Sequence, residues 1–367
     1  MKKLTTLVLT FISLTNLTHA SSCSDVRLDK KDGPLAGIPV YNQSYTPTTD
    51  SSMCYAFAGS QFIDAIRITN GGSKDIWTSP VTTALQTKLH PLTQWGTPQR
   101  LISEISRGAG RSGLGVGMIN RMYEQLKNGY SCDKKTLEDI GGIKDPNAFW
   151  ELFVLSHNEY AYGDGNKHTI VVKLSESLKE LGLSEHFLGL LNDSFLHDVL
   201  TTKGFYLKEK KVYDLLCEDA KEKLSLPEMD FHNFMPLDVT DDETDEEFES
   251  RFQVAPVNQN VLSLIHSALN RKAPYPALID ICSEVLTDHK NSFKESLPSF
   301  IGKCSPHTVV VIGRKENPKT GKCEMLIRNS WGAYQDYDKE WESEANGQVW
   351  IPEEDLSSNV LNVLLAK

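Results

Sequence analysis

None of the seven cysteines (23, 54, 132, 217, 282, 304 and 323) forms a C-x-x-C pair. That spacing argues against a thiolate zinc site. No Gly-Lys-Ser or Gly-Lys-Thr follows the glycine-dense stretch from Gly108 to Gly117, so this stretch is not a phosphate-binding P-loop. Beyond residue 17 no apolar run is long enough to cross a bilayer. Basic residues are in deficit, with 38 Lys and Arg against 49 Asp and Glu and a net charge of -11. Such a surface argues against nucleic acid and anionic membranes as partners. Eight of the twelve residues from Asp238 to Glu249 are acidic and none is basic. They lack the glycine and alternating spacing of a calcium loop and read as a solvated segment. There is no internal repeat.

What is present begins with Met1-Lys2-Lys3, an apolar run from Leu4 to Leu17 and Thr18-His19-Ala20. This is the pattern of an export signal cleaved near Ala20. The mature chain is then secreted or periplasmic, and loss of Lys2 and Lys3 takes its charge from -11 to -13. Ala20-Ser21-Ser22 ahead of Cys23 makes a poor lipidation motif. In an oxidising compartment seven cysteines leave at least one thiol unpaired within the monomer. If that one is Cys54, the other six allow 15 pairings, and spacing does not choose among them. With 367 residues, 40% of them apolar, the chain can bury the core of one large or two medium domains.

The chain is organised around Asp50-Ser51-Ser52-Met53-Cys54-Tyr55-Ala56-Phe57. Asp50, Ser51 and Ser52 are good helix-capping residues. Tyr55, Ala58, Phe62, Ala65 and Ile66 then recur on one helical face. The helix is expected to stop at Asn70-Gly71-Gly72. Cys54 thus falls in the first turn, where unsatisfied N–H groups favour an anion and a thiol ionises more readily. The plain alternative is an inert buried cysteine.

Around this helix the pattern predicts a short strand over Gly37 to Gln43 and a second helix over Thr78 to Lys88. A third helix is predicted over Met118 to Asn128. Ser175 to Leu181 and Tyr213 to Leu224 look helical and charged. The last third is rich in strands. A helix over Val261 to Asn270 precedes an apolar strand from Tyr275 to Cys282. Further strands run from His307 to Ile312, Cys323 to Asn329 and Gly347 to Ile351, with a hairpin loop between Arg314 and Lys322.

Cys54 at a helix start, His307 opening a strand and Asn329 closing its neighbour form a Cys-His-Asn set. With Asn42-Gln43, Ser52-Met53-Cys54-Tyr55-Ala56-Phe57 and Arg328-Asn329-Ser330-Trp331-Gly332, the chain resembles the papain-like cysteine peptidases. The resemblance covers roughly residues 36–130 and 256–355. It implies an α+β, two-lobed fold: a helical lobe over 38–144 and a β-barrel-like lobe over 256–367. Residues 21–37 form an arm, and a mainly helical insertion with the acidic loop spans 145–255.

The resemblance also implies roles. Cys54 is the nucleophile and forms a thioester, and His307 is the acid and base. Asn329 orients the imidazole, Trp331 roofs that hydrogen bond, and Gln43 joins the Cys54 N–H in an oxyanion hole. Gly113 and Gly115 would border the substrate. No cofactor or metal is called for; the partner is a peptide or protein substrate, and the chain would act as a monomer. Lys167-His168-Thr-Ile-Val-Val172 repeats the His-then-strand pattern, but no Asn-Ser-Trp-Gly hairpin follows it. The chain departs from the family in the ten residues between Gln43 and Cys54, in Tyr55 where tryptophan is usual, and in Ser51 where a disulfide cysteine is usual. No inhibitory propeptide fits ahead of Ile38. Two other readings fit the same residues: a silent papain-like binding protein or inhibitor, and a cysteine amidase or acyltransferase acting on cell-wall peptides.

Overall fold

A computed structural model describes residues 23–40, 54–80, 83, 119, 130–132, 141–143, 146–201, 211–212, 215–216, 221–223, 228–234, 258–287, 306–332 and 337–367. In chain order the strands are β1 (Val26–Arg27), β2 (Tyr130–Cys132), β3 (Lys221–Lys223), β4 (Met229–Asn233) and β5 (Ala277–Cys282). They continue with β6 (Pro306–Glu316), β7 (Cys323–Arg328), β8 (Glu342–Ser343), β9 (Val349–Pro352) and β10 (Val360–Ala366). The helices are α1 (Cys54–Thr69), α2 (Pro146–Tyr162), α3 (Lys167–Glu180), α4 (Glu185–Leu190) and α5 (Asp193–Thr201). After them come α6 (Gln259–Leu269), α7 (Glu284–Thr287) and α8 (Glu353–Ser357). The class is α+β.

The central sheet is antiparallel throughout, in the order β4-β10-β5-β6-β7-β9-β8, with β1 added beside β6. All six side chains of β5 and all seven of β10 are buried, as expected for inner strands covered on both faces. Helix α1 lies across β5 and β6. Every residue from Cys54 to Ile68 is buried, so the helix is enclosed on all sides, whereas its sequence predicts one apolar face. Its polar residues are satisfied internally. The Ser60 hydroxyl donates to the Ala56 carbonyl at 2.8 Å, and Asp64 accepts from the Thr78 N–H at 2.9 Å and hydroxyl at 2.8 Å. The helix stops where expected: Gly71 takes φ +90°, a left-handed conformation that glycine adopts without strain, and the Gly72 N–H returns to the Arg67 carbonyl at 2.8 Å.

The segment from Cys23 to Val40 straps this sheet. Cys23 is disulfide-bonded to Cys323. β1 pairs with β6 at Gly313, where an added Cβ would run into the Val26 carbonyl. The Arg314 guanidinium, buried, donates to the Ser24 carbonyl at 2.9 Å and to the Ser24 hydroxyl at 2.6 Å. The strand expected over Gly37 to Gln43 is not formed at Ile38–Val40. There the Ile38 carbonyl accepts from the Arg328 guanidinium, and a side chain replaces the ladder partner. Residues 41–43 lie outside the described residues.

Helices α2, α3 and α5 pack on one another, with α4 against α3. Ile170, Val171, Leu174 and Leu178 of α3 are buried. The stretch read as an insertion, 145–255, also supplies an edge strand of the central sheet: β4 pairs with β10 along its whole length. Lys221–Lys223, read as helical, is instead a strand paired with Tyr130–Cys132. Cys282 is disulfide-bonded as well, while Cys54 carries a thiol. No helix among the described residues is long and apolar enough to cross a membrane.

Candidate active site

Cys54 is the first residue of α1 and is 9% exposed. Three hydrogen-bond donors lie within reach of its sulfur: the backbone N–H of Tyr55, in the first helical turn, and the backbone N–H and hydroxyl of Thr308 on β6. Burial pushes the thiol up to about 11, the charge of nearby Asp280 adds to the push, and these hydrogen bonds oppose it. A helix N-terminus was expected to promote ionisation; desolvation outweighs it here, because the neutral thiol loses far less than a thiolate on leaving water.

His307 is the residue before Thr308, near the start of β6, and is 6% exposed. Its Nε2 lies 2.7 Å from Asn329 Oδ1. The same oxygen accepts the Ser330 backbone N–H at 2.7 Å. A backbone N–H can only donate, so this atom is the amide oxygen and His307 Nε2 must carry the proton. Asn329 Nδ2 donates to the Tyr337 hydroxyl at 3.1 Å, and that hydroxyl donates to the Gly347 carbonyl at 2.7 Å. The chain of donors therefore fixes the tautomer, leaving His307 Nδ1 as the basic nitrogen. Burial pulls the imidazole down to about 4, only partly offset by its bond to Asn329. It pushes the Tyr337 hydroxyl up to about 12. Trp331 packs on the imidazole with ring centroids 4.6 Å apart, and stacks on Tyr337 at 6.3 Å.

The structure brings Cys54, His307, Asn329 and Trp331 to one end of the β6–β7 hairpin and the start of α1. Gln43, Gly113 and Gly115 lie outside the described residues. His168 does not open a strand: it sits in the first turn of α3, exposed, after the Asn166 cap. Among the described residues no group of three or more His, Cys, Asp and Glu is placed to hold a metal.

Sequence reasoning missed Asp280, Thr308, Asn362 and Tyr337. Asp280 is 2% exposed, in the middle of β5. It stands opposite Thr308 on β6 and opposite Asn362 on β10. The Thr308 hydroxyl donates to Asp280 Oδ1 at 2.6 Å. Asn362 Nδ2, at 2.9 Å, and the Ile119 backbone N–H, at 3.3 Å, donate to Oδ2. Burial raises this carboxyl to about 6 against those three hydrogen bonds. The available signal was a single acid inside the apolar run Ala277-Leu-Ile-Asp-Ile-Cys282, since an acid is seldom fully buried without a purpose. No family model matches the chain, and no curated protein matches it.

Proposed function

We propose that the chain is an exported cysteine peptidase of papain-like architecture. The observation that carries this reading is the His307 Nε2–Asn329 Oδ1 bond of 2.7 Å, made by the neighbour of Thr308, whose backbone N–H and hydroxyl lie within reach of the buried Cys54 sulfur at the start of α1. An imidazole so held presents one basic nitrogen in one orientation. His307 Nδ1 takes the Cys54 proton as the sulfur attacks the peptide carbonyl. The oxyanion is held by the Cys54 N–H, with Gln43 as the second donor. His307 then protonates the leaving amine, the C–N bond breaks and a thioester remains. Water, deprotonated by His307, releases the acid and restores the thiol. Because each step moves the proton between sulfur, imidazole and substrate, the site needs no cofactor. Trp331 shields the His307–Asn329 bond from water. The Cys23–Cys323 disulfide supports an oxidising compartment, as export would provide.

Burial of the thiol favours a second reading, a catalytically silent protein that keeps the set for binding. The two are separated by intact mass with an epoxysuccinyl thiol inhibitor at mildly acidic pH, followed by cleavage of a mixed peptide library. One adduct on the wild type, none on Cys54→Ala, and library cleavage by the wild type alone are expected. Folded wild-type protein that takes no adduct and cuts nothing overturns the peptidase reading. Adduct formation without cleavage, but with transfer to an amine acceptor, replaces it with the acyltransferase alternative.

A further inference from the structure

Asp280, Thr308 and Cys54 compete for one proton. Thr308 has a single hydroxyl hydrogen, yet its oxygen lies 2.6 Å from Asp280 Oδ1 and the hydroxyl is also within reach of the Cys54 sulfur. An ionised Asp280 can only accept, so it holds that hydrogen. Oδ2 already accepts from the Asn362 amide and the Ile119 backbone N–H. A proton arriving at Asp280 therefore goes to Oδ1, which then donates to Thr308 Oγ1. The hydroxyl turns, and its own hydrogen points at the sulfur.

We infer that Asp280 and Thr308 form a proton-operated switch on the nucleophilicity of Cys54: an ionised Asp280 withholds the Thr308 hydroxyl and repels a thiolate, and a protonated Asp280 releases both restraints. By linkage, an anion at Cys54 favours proton uptake at Asp280 to the same degree. Asp280 and Thr308 are positioning residues here, acting through the sulfur. The inference rests on Cys54 being a nucleophilic thiol and not on peptides being its target.

The surroundings put the switch in a useful range. Besides Thr308, β6 offers His307, which titrates near 4. β10 offers the amide of Asn362, and α1 offers Cys54 itself. His266 of α6, which packs against β5, β6 and β10, turns instead to Arg314, at 2.7 Å, and to Glu353, at 3.0 Å. Of the described groups facing Cys54, Asp280 titrates near pH 6. A thiol under this switch loses less of its reactivity on mild acidification than a simple thiol does.

The test is the rate of Cys54 alkylation by iodoacetamide from pH 4.5 to 8, read by mass on the Cys54 peptide, so it needs no substrate. Below its own pKa a simple thiol reacts with a log rate rising one unit per pH unit. The wild type is expected to fall below that slope between about pH 5 and 7, as Asp280 ionises. Asp280→Asn, whose amide can donate to Thr308 as the protonated acid does, is expected to react about tenfold faster than wild type at pH 7.5. That gain corresponds to a one-unit drop in thiol pKa. The same substitution made on Thr308→Val should gain clearly less, because no hydroxyl remains to be released. Unit slope in the wild type overturns the switch, even if no variant folds. A gain from Asp280→Asn that is equal with and without the Thr308 hydroxyl overturns the shared-proton device.

Discussion

On the β6–β7 side of the site every hydrogen bond has one possible direction, and on the α1 side one of them has two. The imidazole chain runs from His307 through Asn329 and Tyr337 and ends on the Gly347 carbonyl. Backbone groups at Ser330 and Gly347 set the sense of each donor, so the chain cannot reverse. The thiol side ends on Asp280, a group that can be either acceptor or donor. Of the groups in the two networks only Tyr337 is partly exposed, and it belongs to the fixed one, so burial alone does not make a polar network rigid. What matters is whether the network terminates on backbone or on a titratable side chain. An orienting device is best built on the first kind of ending and a responsive one on the second.

The largest break in this comparison is removal of the sulfur. Cys54→Ala is expected to lower peptide hydrolysis by more than about 10⁴-fold, as loss of a nucleophile generally does, with the fold retained by circular dichroism. Next is the fixed chain. Asn329→Ala is expected to cut kcat by about 10²-fold with little change in KM, since a misoriented base forfeits general acid–base assistance. Steady-state kinetics on a cleaved reporter peptide reads both numbers.

The stability measurements sharpen the contrast by pH. His307 has a folded pKa below its ordinary value, so its contribution is full above about 6.5 and is lost as pH falls through about 4. Asp280 has a raised folded pKa, so its contribution is full below about 3.8 and is lost as pH rises through about 6. The two oppose each other in one window. Urea denaturation of Asp280→Asn is therefore expected to lose stability on acidification from pH 6.5 to 4 more steeply than the wild type does. Tyr337→Phe, read by urea at pH 7, should cost about 1–3 kcal/mol through the stranded Asn329 N–H and Gly347 carbonyl. The smallest effect serves as a control: Lys322→Ala removes an exposed ion pair to Glu354, formed at 3.0 Å, and should change stability by less than about 0.5 kcal/mol.

Much of the frame was legible in the sequence because its signals are local. Cys54 opens α1, Asn70-Gly71-Gly72 ends it, and the β6–β7 hairpin with His307 and Asn329 lies where the apolar runs and turn residues put it, although β6 continues to Glu316, past Arg314 where the loop is expected to begin. The misreadings have physical causes. His168-Thr-Ile-Val-Val172 is β-branched over too short a window. Extended by six residues, the buried positions 170, 171, 174 and 178 declare a helix. Lys221-Glu-Lys223 has helical propensity, and only pairing with Tyr130–Cys132, some ninety residues earlier, makes it a strand. Asp280 disappeared inside an apolar run because its three partners come from β6, β10 and Ile119, all far away in the chain. The Tyr337–Asn329 bond is equally invisible, since neither a strand nor a helix period brings residues eight apart into contact.

The N-terminal strap changes how this protein behaves on a gel. Cys23 and Cys323 are 300 residues apart and covalently joined. A backbone cut anywhere between them, by the protein itself or by a contaminant, leaves both fragments on one molecule. Such a nicked species would migrate as a single band without reductant and separate only after the disulfide is broken. Purity and self-processing therefore have to be judged on paired reduced and unreduced lanes.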